Sequence, residues 1–144
     1  MNLPDTNIWL SLAIPSHPSH SIAHEWFATQ SRHSSVLFCR PTQQSFLRLL
    51  TTENVMQPYG LPAFTNTHAW QLFDAFLADP LISFAPEPPS IEPLWQDLAS
   101  RNTPSPKLWM DAYLAAFAIA GNHRLITMDK AFTQFKNLKL TLLS

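Results

Sequence analysis

Glycine is nearly absent from this chain, with 2 in 144 residues, Gly60 and Gly121, lying in different halves. Phosphate-cradling loops of the Walker or dinucleotide type need several glycines within a few residues, because the backbone must reach positive φ and approach the phosphate closely. Such a loop is excluded, and any phosphate would have to be held by side chains or a metal. Cysteine is equally scarce: Cys39 alone excludes an internal disulfide and a thiolate zinc site. Nothing points to an oxidising compartment, so a cytoplasmic location is expected. No apolar run approaches the roughly 18–20 residues of a membrane span, and the start Met1-Asn2-Leu3-Pro4-Asp5 is unlike a signal peptide, so no membrane partner is expected. Charge is also thin, at 13% of residues and a net −1. That lacks the basic footprint of proteins that hold nucleic acid by charge alone, and leaves such a substrate open only where a metal supplies local positive charge.

What is present is apolar volume: 46% hydrophobic residues, including 10 Phe and 5 Trp, enough for the core of one domain spanning residues 1–144. The Pro-rich run Ala85–Ser90 is too short to divide it. Short β-type runs fall at 2–4, 36–39, 81–84, 124–127 and 138–142, with helical patterns near 6–13, 19–32, 41–52, 66–79, 90–101, 106–120 and 130–135. Alternation of this kind predicts an α/β fold: a central, mainly parallel sheet of about five short strands between two helical layers, with its crevice beyond the carboxyl ends of the strands. Ser105 with Pro106 reads as a helix start, and Gly121 as the C′ residue ending that helix. Pro4 strains the picture, because proline removes a ladder donor from a central strand.

Ten acids are few enough to place one by one. Asp5 follows the first strand and Asp129 the fourth, each before a helical segment; either could simply cap that segment, yet both would open onto the same crevice. Asp111 lies on a helix that reads as apolar all round, where a carboxylate is costly unless paired, with Lys107 or Arg124, or bound to a cation. Three converging aspartates with oxygen-only ligands favour Mg²⁺ or Mn²⁺. Such a site can polarise a phosphodiester and activate water, so hydrolysis of a nucleic-acid backbone is the natural chemistry.

Four segments in register carry a family resemblance: Leu3-Pro4-Asp5-Thr6-Asn7-Ile8-Trp9-Leu10, Thr42-Gln43-Gln44-Ser45-Phe46-Leu47-Arg48, Asp111-Ala112-Tyr113-Leu114-Ala115-Ala116 and Leu125-Ile126-Thr127-Met128-Asp129-Lys130-Ala131-Phe132. Together they resemble a PIN domain, and among PIN domains the VapC-type toxins of bacterial toxin–antitoxin pairs. The resemblance implies a PIN-like three-layer α/β/α fold and a Mg²⁺-dependent endoribonuclease that acts on RNA, is held inactive by a small antitoxin and forms a homodimer. It places the metal-binding acids on Asp5, Asp111 and Asp129, and orienting polar partners on Asn7 and Thr127. It also departs at one point: where the family carries a glutamate before Phe-Leu-Arg, this chain has Gln43. A glutamine keeps one acceptor oxygen but loses the charge and any general-base role. Gln43 is then either a neutral ligand or water-positioning group or a helix residue with no catalytic part, and the alternative function is a catalytically weakened PIN-like module that binds RNA or protein.

Other constellations carry less. His20 and His24, at i, i+4 spacing near His17, have no further ligand in a zinc motif, Cys39 lies in an apolar run, and no G-x-S-x-G motif exists. The aromatic residues read mostly as core, and Arg40, Arg48, Arg101, Lys107, Arg124 and Lys130 are the candidates for RNA contact.

Overall fold

The computed structural model describes residues 1–144. Five strands, β1 (Asn2–Pro4), β2 (Val36–Phe38), β3 (Ile82–Phe84), β4 (Arg124–Thr127) and β5 (Leu140–Leu142), form one sheet in the order β3-β2-β1-β4-β5, every neighbour pair parallel. Seven α-helices accompany them: α1 (Thr6–Ala13), α2 (His20–Ala28), α3 (Arg40–Leu50), α4 (Glu53–Met56), α5 (Asn66–Leu77), α6 (Ile91–Ala99) and α7 (Leu108–Ala120). Successive strand residues point to opposite faces, and the two cores follow that parity. Leu3, Leu37 and Leu125 pack with α6, α7 and the C-terminal Phe132 and Phe135. Val36, Phe38 and Ile82 pack with α1, α3 and α5. The expected three-layer α/β/α arrangement is what the chain builds. No helix is long and apolar enough to cross a membrane.

The second core is aromatic. Trp9 stacks on Phe38 with centroids 3.6 Å apart, and Phe76 meets Trp9 edge-on at 5.5 Å. Trp9 is wholly buried and its indole N–H has no partner.

Pro4 fits because of the side on which its donor is missing. Asn2 N–H donates to Ser35 O on the β2 side and Asp5 N–H to Ile126 O on the β4 side. Alternate residues of a strand serve alternate neighbours, so the nitrogen of Pro4 faces β2, where the pairing ends at Asn2 opposite Val36. The missing donor shortens the β1–β2 ladder by one step and leaves the β1–β4 pairing, which runs through Pro4 to Ile126, intact.

Several boundaries differ from expectation for local reasons. Helix α2 stops at Ala28 rather than near 32, because Thr29 Oγ1 and Gln30 Nε2 both donate to the Trp26 carbonyl, at 2.6 and 2.9 Å. Cys39 leaves the strand to cap α3, where Thr42 Oγ1 accepts its backbone N–H at 3.1 Å. Helix α7 begins at Leu108 instead of Pro106, after a turn in which Ser105 O accepts from Leu108 N. Gly121 is not the left-handed residue expected at the helix end: its φ is −86°, and Asn122 takes the left-handed place at φ 55°. A Cβ on Gly121 would instead collide with the His123 ring and stand 3.2 Å from the Phe117 carbonyl. Its small size is what the packing uses. Gly121→Ala is therefore expected to lower stability by about 1–3 kcal/mol through overpacking, whereas Asn122→Gly changes it by less than about 0.5 kcal/mol because glycine accepts positive φ freely. Urea unfolding of the two variants checks both signs.

Candidate active site

In a parallel sheet all strands release the chain at the same edge, and β1 and β4 are neighbours at the centre. The residues just beyond them, Asp5 and Asp129, therefore emerge side by side. Each also caps the helical turn after it, so the capping role and a place in the crevice coincide. Asp5 Oδ1 accepts from Ile8 N at 3.2 Å at the head of α1, and Asp129 Oδ1 accepts from Ala131 N at 2.9 Å at the head of a 3-10 turn over Lys130–Gln134.

Thr127 ties the two together. Its hydroxyl donates to Asp5 Oδ2 and accepts the Asp129 backbone N–H at 3.0 Å. The side chain is completely buried at the end of β4, so both strand exits are fixed relative to one another by one hydroxyl.

Asp111 arrives from the other wall. The first turn of α7 is not enclosed as its apolar sequence suggested: Trp109 and Met110 are each 57% exposed, and Asp111 is half-buried at the mouth of the cleft. No cation offsets it. Burial and then the charge of Asp129 both push its carboxyl upward, and neither Lys107 nor Arg124 pairs with it; Arg124 donates to Leu140 O at the opposite end of β4. Asp5 behaves alike. Its pKa is raised to about 6, first by burial and last by Asp129, against the lowering effect of the Thr127 hydroxyl and the backbone N–H groups of Ile8 and Asn7.

All three carboxylates line one cleft of about 630 Å³ that also holds Asn7, Ser45 and Arg48. A second depression of about 520 Å³ shares Asp111 and Asp129 and adds Arg101 and Lys107. As they stand, no three acidic or imidazole groups close round a single point. The donor set nonetheless fits a hard divalent ion, which takes one or two carboxylates and fills its shell with water and substrate oxygens. Burial is the main cause of the upward shifts of Asp5 and Asp111, with the charge of Asp129 adding to it and no counter-ion opposing it.

Other expected site residues separate. Gln43 does not reach the cleft. It is only 5% exposed beneath α3, and its Oε1 accepts from Arg40 Nη1 at 2.5 Å. Arg40 in turn lies over the Phe84 ring at 4.6 Å, so this pair braces α3 against β3. The face of α3 turned to the cleft is Pro41, Gln44, Ser45 and Arg48, an i, i+3, i+4, i+7 series that the sequence could have shown as a polar stripe. Lys130 is exposed on the 3-10 turn but forms no part of either wall. Tyr113, missed in the sequence, lines the cleft and donates its hydroxyl to Glu87 Oε2 at 2.9 Å. The histidines are engaged elsewhere: His17 Nδ1 accepts from Ser19 N, and His20 Nδ1 lies 2.8 Å from Ser11 O.

Comparison with known proteins agrees with this architecture. The chain matches the PIN domain family over residues 3–138. It is 48% identical over 145 aligned positions to Ribonuclease VapC41 of Mycobacterium tuberculosis, in both strain CDC 1551 / Oshkosh and strain H37Rv, covering 100% of this chain and 99% of the relative. Among solved structures, VapBC2 of Rickettsia felis bound to a fragment of its promoter DNA superposes with a TM-score of 0.69 at 16% identity, over 99% of this chain and 98% of that one. VapC20 of Mycobacterium tuberculosis, described as a Sarcin-Ricin loop cleaving toxin, gives 0.63 at 15% identity, over 93% and 94%. With the family pattern running from Leu3 to Leu138 and a curated relative matched from end to end, the chain belongs to the PIN domain family.

Proposed function

We propose that this protein is a Mg²⁺-dependent endoribonuclease, the toxin of a VapBC-like pair, acting in the cytoplasm and restrained by a small antitoxin. The observation that carries the reading is three carboxylates lining one cleft beyond the carboxyl ends of β1 and β4, with no basic side chain paired to any of them. Full-length likeness to a protein named as a ribonuclease supports the substrate class.

Asp5, Asp111 and Asp129 would hold the cation, which supplies Lewis acidity toward an RNA phosphodiester and its attacking water. The chain's own contribution is placement. Asp5 is locked by the Ile8 N–H and the Thr127 hydroxyl, so its carboxylate is fixed before any ion arrives. Asp111 comes from the facing wall, which sets the width across which a phosphate must fit. Arg48 and Lys107, in the cleft and in the depression adjoining it, offer cations to the flanking backbone phosphates.

The displacement of Gln43 from the cleft bears on the reading of a weakened, non-catalytic module. A glutamate at that position would meet Arg40, not substrate. Gln43→Glu is expected to change kcat/KM on RNA by less than about threefold, a difference below 1 kcal/mol. A large gain from an inactive protein would instead favour the disabled module.

Activity should depend on Mg²⁺ or Mn²⁺ and disappear with EDTA. Asp5→Asn should remove cleavage, by about a hundredfold or more, without lowering thermal stability, because it deletes a buried charge while keeping the shape. Undiminished cleavage would take Asp5 out of the mechanism.

The raised pKa of Asp5 fixes a pH dependence. Between the unfolded value near 4 and about 6, the folded state retains a proton that the unfolded state has lost, so stability falls as pH rises through this window, by roughly 3 kcal/mol for metal-free protein. A bound cation lifts that penalty and competes with the proton. The Mg²⁺-induced rise in Tm should therefore be larger at pH 7.5 than at pH 5, and should shrink sharply in Asp5→Asn; calorimetry at the two pH values measures it.

A further inference from the structure

Only four large apolar side chains are substantially exposed, Met1, Trp70, Trp109 and Met110, and three of these border the cleft system. Trp70 is 49% exposed and Trp109 is 57% exposed, although tryptophan is ordinarily well covered. Each stands at one end of a chain of joined depressions. From the central cleft, the shared wall of Arg48 leads to a depression of about 340 Å³ that ends at Trp70. In the other direction, Asp111 and Asp129 lead to the depression holding Lys107. Arg101, Ser105 and Pro106 then lead to a further one of about 460 Å³ that ends at Trp109. Each terminal tryptophan thus shares its hollow with an arginine, Trp70 with Arg48 and Trp109 with Arg101.

Both indoles are braced without being covered. Phe73, itself buried, meets Trp70 at 80° with centroids 6.0 Å apart. Trp95 meets Trp109 at 77° and 6.4 Å, and its indole N–H donates to the Trp109 carbonyl at 3.0 Å. A positioned aromatic face beside a guanidinium matches a nucleobase followed by its phosphate. The only carboxylates in the joined depressions are the three at the centre. A helix laid in a groove would need a contiguous apolar stripe, whereas here the walls between the tryptophans are largely polar, with Thr6, Asn7, Gln44 and Ser45 among them.

We propose that the joined depressions form a track for unpaired RNA, with Trp70 and Trp109 as stacking residues that seat one base on each side of the cleavage centre. The proposal rests on the ribonuclease reading for its substrate class. Paired RNA hides its base faces in the helical stack, so the track selects a strand that is single where it crosses the acids. Trp70 and Trp109 act by positioning and take no part in bond breaking.

The test is binding of a labelled, unstructured oligo-uridylate in EDTA, read by fluorescence anisotropy, so that no cleavage intrudes. Trp70→Ala and Trp109→Ala should each weaken binding by about five- to a hundred-fold, the range of one lost base–aromatic stack. Trp70→Phe and Trp109→Phe should retain most of the affinity, which separates loss of the ring from a folding defect. An abasic strand of the same length should bind the wild-type protein as poorly as the intact strand binds the Trp70→Ala/Trp109→Ala double variant. Equal binding of intact and abasic strands, or alanine variants that bind like wild type, overturns the proposal. So does an alanine variant that keeps its RNA affinity but changes the oligomeric mass in light scattering, which would assign the tryptophans to a protein interface. Base-dependent binding without Mg²⁺-dependent cleavage would leave the track standing and sink the ribonuclease reading alone.

Discussion

The parallel pairing of β1 with β4 is the constraint on which the rest of the site depends. Three backbone registers, Asn2 with Arg124, Leu3 with Leu125 and Pro4 with Ile126, bring two chain segments more than a hundred residues apart to the same edge of the sheet. Each then delivers an aspartate at its next turn. The charges so assembled are hard to keep together, and Thr127 is where the fold meets that difficulty. One hydroxyl steadies the carboxylate of Asp5 and at the same time anchors the backbone that carries Asp129. The acids are left without a counter-charge: burial first, and the charge of Asp129 after it, push the carboxyls of Asp5 and Asp111 upward. A cation bound there, as the proposed function requires, would offset the cost of burying these charges.

Two kinds of packing hold this edge. Behind α1 and α3 lies the aromatic core, in which Trp9, Phe38, Phe46, Phe73 and Phe76 meet mostly edge to face. Behind α7 lies a layer rich in alanine, with Ala112, Ala115, Ala116 and Ala118 buried against the sheet. Small residues let α7 lie close to the strands, and its first turn then projects past the sheet edge with Asp111 on it. The difference between the layers explains why one side of the cleft is a polar stripe of α3 and the other a projecting helix end.

Much of this was legible in the sequence. Each strand is a short apolar run set off by polar or turn residues, which marks all five, and six of the seven α-helices lie within a few residues of their expected spans; α4, a single turn, is too short to show a periodicity. Asp5 and Asp129 were legible because each follows a strand within two residues. What the sequence concealed lies where side chains act on the backbone or on one another. Thr29 and Gln30 end α2 through a carbonyl that no periodicity reports. Gly121 is required by the His123 ring, a neighbour that becomes one only after the chain turns at Asn122. Gln43 sits one residue before Gln44, yet the 100° turn between them sends one into the core and the other to the cleft. Family pattern points to position 43; helical phase decides which of its neighbours faces the cleft.

Pro4 has a final consequence. A strand with a free N–H at that place would have a donor aimed at β2, and the two strands could zip one step further toward the carboxyl edge. The proline acts as a stop on that zipper. The β1–β2 register ends at Asn2, and beyond the strand ends the start of α3, with Pro41 and Thr42, stands in the cleft wall together with Thr6 and Asn7 of α1. A residue that looks like a flaw in a central strand thus marks the place where the sheet ends and the cleft begins.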